Sequence, residues 1–128
     1  MSAYTITNFN DIETPNPNPD RDAKFARSRI GSEHLGISYF RYGPNFRGTG
    51  GHSHREQEEV YVVISGSGRV KLDDEIFELK QWDVVRVSPP VVRAFAGGPE
   101  GMELIVAGTD RPEGGDGVGA DDFWPEDS

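Results

Sequence analysis

Between His34 and Gly108 the chain is cut into short apolar segments by turn signals, and no segment is long or periodic enough to be a helix. His34–Arg41, Arg69–Leu72 and Glu75–Leu79 alternate apolar and polar residues, while Glu59–Ile64, Asp83–Val87, Val91–Ala96 and Met102–Ala107 are rich in β-branched and aromatic side chains. Segment starts recur roughly every 8–12 residues, the interval of an antiparallel sandwich or closed barrel. Asp73-Asp74 reads as a two-residue hairpin loop and Gly66-Ser67-Gly68 as a turn. Glycine and proline, 16 and 9 of 128 residues, point the same way, because both disfavour helix interiors. Only Asp22–Ile30 has the makings of a turn or two of helix.

The two ends differ from this middle. Residues 1–30 read as an extended N-terminal arm: Glu13–Asp20 carries prolines at positions 15, 17 and 19, which remove three N–H donors and fix three φ angles. Ahead of that linker, Tyr4–Thr7 reads as one short edge strand. Residues 31–109 form the expected barrel. Residues 110–128 read as a flexible, acidic, Gly-rich tail with seven carboxylates against Arg111. Phe123 and Trp124 are the exception, since two large aromatics left in water are costly and are expected to dock on the body or on a partner subunit.

The formal net charge is −9, and six of those units fall in residues 110–128, leaving 12 basic against 15 acidic residues in the body. A polyanion is not the expected partner of such a chain. The absence of cysteine excludes disulfides, thiolate metal sites and a cysteine nucleophile. No run approaches the roughly 20 apolar residues of a membrane span, and the N-terminus lacks the basic and apolar regions of a signal peptide, so a cytoplasmic protein is the expectation.

The chemistry-bearing stretch runs from Gly50 to Gly66. On an extended chain, His52 and His54 at i, i+2 point to the same face, and a carboxylate at the start of the following strand can complete a three-ligand set. Two imidazoles and a carboxylate with positions left open suit Fe(II), Mn(II), Ni(II) or Zn(II). The plainer reading is an exposed loop with a His-x-His pair and a solvated rim formed by Glu56, Glu58 and Glu59.

The spacing His52-x-His54, four residues, Glu59, six residues, Gly66 resembles the first motif of the cupin superfamily, whose leading glycine would fall at Phe46, with Gly48, Gly50 and Gly51 nearby. The resemblance covers about residues 34–108. It implies an all-β fold, a cupin-type jelly-roll barrel (double-stranded β-helix) with its pocket inside, and it selects Glu59 as the third metal ligand beside His52 and His54. The family's second motif is degenerate here. Trp82, Ser88, Pro90 and Gly97 replace its glycine, proline, second glycine and asparagine, and Arg93 stands where a fourth ligand is expected. A guanidinium stays protonated and does not ligate a metal; beside a dication it weakens metal affinity. Arg93 therefore has three readings: it pairs with Glu59 in place of a metal, it holds a ligand carboxylate or phosphate in bidentate fashion, or it is exposed on another register. Tyr61 and Phe95 are expected to line the pocket with it, Tyr39 to join the core, and His34 and Trp82 to be ordinary strand and hairpin residues.

Three functions fit these residues. One is a metal-dependent enzyme acting on a small molecule, an oxygenase or isomerase of the kinds the resemblance allows. Another is a non-catalytic cupin that binds a small carboxylate with or without metal. The last is a structural module working as a homodimer, with the N-terminal arm and the Phe123-Trp124 segment as exchange elements.

Overall fold

The computed structural model describes residues 3–125; Glu126 and Asp127 of the acidic segment lie outside the described residues. After a single 3-10 turn at Phe9–Asp11 come β1 (Arg21–Phe25), a one-turn helix α1 (Arg27–Ile30), β2 (Gly36–Tyr42), β3 (Gly51–His54), β4 (Glu59–Leu72), β5 (Glu75–Lys80), β6 (Val84–Val87), β7 (Arg93–Gly108) and β8 (Gly117–Ala120). All pairings are antiparallel in one curled sheet. The result is the all-β jelly roll that the strand spacing and the motif resemblance led us to expect. Among the described residues no helix is long and apolar enough to cross a membrane.

The long strands β4 and β7 form the spine, paired from Glu59 opposite Gly108 to Leu72 opposite Arg93. Gly66-Ser67-Gly68 is not the turn its composition suggested. The strand continues through it, and Ser67 alone on β4 spans the gap in register between Gly66↔Met102 and Gly68↔Gly97. Gly66 has φ +75°, and a Cβ there would sit 2.1 Å from the carbonyl oxygen of Gly101, so the close approach of the strands at this bulge requires glycine. Together with a second register shift between Val63 and Ser65, the bulge switches which side chains face inward. On β4 they are Tyr61 and Val63 before it and Val70 after it; on β7 they are Arg93 and Phe95 before it and Met102, Leu104 and Val106 after it. Without that switch, one half of each strand would turn its apolar residues to water. The Asp73-Asp74 hairpin loop is present as read, joining Leu72 to Glu75.

Three further expectations change. Tyr4–Thr7 forms no strand, and the edge position is taken by β1, which pairs with β2 from Arg21↔Tyr42 to Phe25↔Ser38. The segment read as an N-terminal arm thus adds a strand to the sheet, and Asp22–Ile30 divides between that strand and a single helical turn. The segment read as a flexible tail contributes β8, whose four residues pair with β3. Tyr39 faces away from the core, against Phe9, and its hydroxyl donates to Glu103 Oε1 at 2.9 Å. On β2, Phe40 and Tyr42 face the core instead.

Candidate functional site

The site is where β3 crosses the open end of the spine. His52 is opposite Arg93 across the β3–β7 pair, and the backbone N–H of His54 donates to Pro89 O at 2.7 Å. Both imidazoles therefore point to the side occupied by Arg93 and Phe95 of β7 and by Glu59 and Tyr61 of β4. The two rings meet edge to face at 5.1 Å. His54 Nε2 lies 3.2 Å and His52 Nε2 3.9 Å from the same oxygen, Glu59 Oε1. One ligand atom from each of the three residues falls within 4.8 Å of the others. Donors bound to one ion at about 2.1 Å lie roughly 3–3.5 Å apart, so small side-chain rotations would close this set around a metal.

The orientation of His54 is fixed from behind. Its Nδ1 is 2.8 Å from Asp116 Oδ1, and Asp116 Oδ2 accepts from the backbone N–H groups of Glu56 at 2.7 Å and Gln57 at 2.9 Å. Desolvation works against the Asp116 charge, but the Glu56 N–H, the His54 ring and the Gln57 N–H outweigh it and hold the carboxyl far below the usual aspartate range. An ionised Asp116 accepts a hydrogen bond from the Nδ1–H of a neutral His54 ring, which leaves the Nε2 lone pair directed at Glu59. That Nε2 is buried and has no hydrogen-bond partner. An orphaned, correctly oriented imidazole nitrogen beside a second histidine and a carboxylate fits a divalent metal.

Glu59 is the electrostatic hub. Burial alone would raise its pKa, but the facing His52, the Tyr61 hydroxyl donating at 2.6 Å, His54 and Arg93 together hold it below the ordinary glutamate value. Burial, reinforced by the charge of Glu59, pushes the Tyr61 phenol well above 10. Arg93 is 0% exposed. Its Nη2 donates to Ser88 O at 3.0 Å, Nη1 lies 3.9 Å from Glu59 Oε1, and Nε and Nη1 have no hydrogen-bond partner. The exposed-register reading of Arg93 is thereby removed.

Two connected hollows flank this cluster and share Arg21, Phe40, His52 and Glu59. One, of about 440 Å³, runs past Arg93, Tyr61 and Phe95. The other, of about 520 Å³, passes His54, Arg27 and Arg111. Four arginines thus line the hollows against one carboxylate, a sign opposite to that of the chain as a whole. A larger depression of about 820 Å³ lies elsewhere, beside Arg47 and Arg69. Both guanidinium groups are stacked over the Trp124 ring, at 5.6 and 5.0 Å.

Trp124 is 0% exposed, and its backbone N–H donates to Thr49 O at 2.8 Å. Lys71 Nζ lies 4.3 Å from the Phe123 ring centre. The aromatic pair expected to leave water is docked on the body, next to β3. Sequence reasoning missed Asp116, counted there only as one of seven tail carboxylates. It also missed Arg21, Phe40, Tyr42 and Phe46. Their signal is faint: Phe40 and Tyr42 are the alternate aromatics of β2, and Asp116 is marked only by its place just ahead of Gly117-Val118-Gly119. His34 lies outside the site, exposed and 3.1 Å from Asp110, and Trp82 is 66% exposed at the β5–β6 turn.

A family model of the cupin domain matches residues 38–108. Among curated proteins, the uncharacterized protein MJ1618 of Methanocaldococcus jannaschii is 40% identical over 38 residues, 30% of each chain. The fold is similar to that of the polyketide cyclase RemF from Streptomyces resistomycificus, with a TM-score of 0.73, 18% identity, and 96% of this chain and 88% of that one covered. It is also similar to a candidate sugar phosphate isomerase from Acidithiobacillus ferrooxidans, with a TM-score of 0.61, 24% identity and 70% of this chain covered. The chain spans 59% of that protein's length. At these identities the two likenesses speak for the fold alone.

Proposed function

The chain belongs to the cupin family, sharing its domain over residues 38–108, and on that premise we propose that it binds a divalent transition metal through His52, His54 and Glu59 and holds a small anionic ligand beside it through Arg93. The observation that carries this reading is the buried Nε2 of His54, which has no hydrogen-bond partner while its ring is held by Asp116. Three protein ligands leave coordination positions open, and a bound ion would supply Lewis-acid polarisation of an oxygen donor there. The residues themselves do the rest. Arg93 orients the ligand's anionic end, Tyr61 fixes the Glu59 carboxylate, and the core beneath Phe95 and Val106 keeps water from the inner side. A metal-dependent isomerase or oxygenase reaction is the activity such a site supports.

A second reading is favoured by one distance, the 3.9 Å from Arg93 Nη1 to Glu59 Oε1: a non-catalytic binder in which the guanidinium occupies the metal's place. Elemental analysis after loading with Mn(II), Ni(II) or Zn(II) separates the two. The metal reading expects about one equivalent retained by the protein and lost in His52→Ala and His54→Ala. Failure of the unaltered protein to retain any of the three would overturn it.

A further inference from the structure

The hollow beside Arg93 carries a second kind of information, in the side chains that make its walls. Five of its lining residues are aromatic: Phe40, Tyr42, Phe46, Tyr61 and Phe95. Three of these rings lie nearly parallel to Tyr42, with Phe40 at 8°, Phe46 at 18° and Phe95 at 21°, and with centroids 6.2–6.5 Å from it. Four rings of the wall thus share nearly one orientation, while Tyr61 is tilted 40° from Phe95. At one end are the unpartnered Nε and Nη1 of Arg93, fully buried. Arg21, whose guanidinium sits 5.7 Å from the Phe40 ring centre, adds a second positive charge to the lining.

Hydroxyl-rich ligands need acceptors and donors spread along their length. Here the acceptors among the lining side chains are few: the Asn18 amide, the Glu59 carboxylate, already engaged by Tyr61 and the histidines, and the Tyr42 hydroxyl, paired with Arg21. The cavity thus offers guanidinium groups for the anionic end of a ligand and aromatic side chains for the remainder. Its volume of about 440 Å³ falls in the lower part of the usual range for small-molecule pockets. Buried guanidinium donors without partners are costly unless an anion meets them.

We infer that the ligand of this pocket is a planar, conjugated carboxylate, an aryl or cinnamate-type acid, with its carboxylate on Arg93 and its ring face against Tyr42 and Phe95. This assignment rests on the proposed binding site and names its ligand class; it does not require the metal. A wall built of five aromatic side chains favours a π-system over a saturated ring of the same size, and the guanidinium favours a planar bidentate anion.

The test uses the full chain, metal-free and zinc-loaded, titrated calorimetrically with benzoate, cinnamate, cyclohexanecarboxylate and glucose 6-phosphate. Benzoate and cinnamate should bind about three- to tenfold more tightly than cyclohexanecarboxylate and more tightly than glucose 6-phosphate. Arg93→Lys should weaken benzoate by about tenfold or more, and Phe46→Leu should narrow the preference for the flat ring. Equal binding of benzoate and cyclohexanecarboxylate, tighter binding of glucose 6-phosphate, or an unchanged Arg93→Lys variant would each overturn the assignment. Zinc retention without any benzoate preference overturns the ligand class and leaves the metal reading intact. Benzoate binding by a chain that retains no metal supports the ligand class and overturns only the metal reading.

Discussion

Asp116 Oδ1 lies 2.8 Å from His54 Nδ1, and this contact joins the last strand of the fold to a residue of β3 at the mouth of the barrel. It exists because β8 pairs with β3 from Gly51↔Ala120 to His54↔Gly117, which sets Asp116 one residue beyond the pairing, behind the imidazole. The carboxylate decides which nitrogen of His54 carries the proton and therefore which nitrogen faces Glu59.

Asp116→Asn should weaken metal binding by about 10–100-fold, the usual cost of removing a carboxylate behind a ligating histidine. Zinc titration monitored by calorimetry measures this. The ¹⁵N shifts of the metal-free protein should also show His54 losing its fixed Nδ1–H tautomer. Unaltered affinity together with unaltered shifts would refute the role given to Asp116.

The acid limb of stability follows from the same residue. Asp116 and Glu59 both have pKa values depressed by folding, so their contributions are fully present above the ordinary carboxylate range and are lost as the pH falls through and below it. Urea unfolding of the metal-free protein should show stability dropping from about pH 5 downward. The drop should be shallower in Asp116→Asn. A stability that rises on acidification would contradict this assignment.

Trp124→Ala should cost about 3–5 kcal/mol, as for other fully buried tryptophans, and should loosen β8 because the ring is held between Arg47 and Arg69. Denaturant midpoints give the first quantity. Amide exchange at Val118 and Gly119 gives the second, and exchange as slow as in the parent protein would argue against the coupling.

Gly66→Ala brings a Cβ to 2.1 Å from Gly101 O at φ +75° and should destabilise by about 1–3 kcal/mol or more. Gly117, whose added Cβ would meet nothing within 4 Å, provides the control, with a change within about 0.5 kcal/mol. Equal effects at the two positions would show that the bulge tolerates a side chain.

Arg93 and a dication would compete for one carboxylate, since the guanidinium lies 3.9 Å from Glu59 Oε1. Arg93→Met keeps the volume and removes the charge, so zinc should bind more tightly, by about tenfold. Weaker zinc binding in a folded Arg93→Met variant would mean that Arg93 supports the metal site instead of opposing it.

Much of the barrel was legible because strands announce themselves locally. Alternation in Arg69–Leu72 and Glu75–Leu79, the Asp73-Asp74 loop, and the spacing from His52 to Gly66 are short-range signals, and the two histidines and Glu59 of that motif do meet in space. What was not legible depends on partners far along the chain. Gly66-Ser67-Gly68 has the composition of a turn, and only the approach of Gly101 makes it a bulge in a continuous strand. Tyr39 and Tyr42 look alike in sequence, yet the register of β2 against β7 sends one outward and the other to the cavity. Asp116 sits among glycines and acids that suggest solvent, and its burial comes from β3, a strand about half the chain away.

That separation bears on how the protein is made in a cell. A growing chain can pair β4 with β5 and close the spine with β7 before its last segment exists, but His54 gains its carboxylate only after Asp116 has been added and Trp124 has followed to anchor β8. The proposed site thus matures after the spine during synthesis. Until then, a nascent barrel presents an imidazole with neither its proton nor its rotation fixed, and metal capture by the proposed site would follow translation of β8.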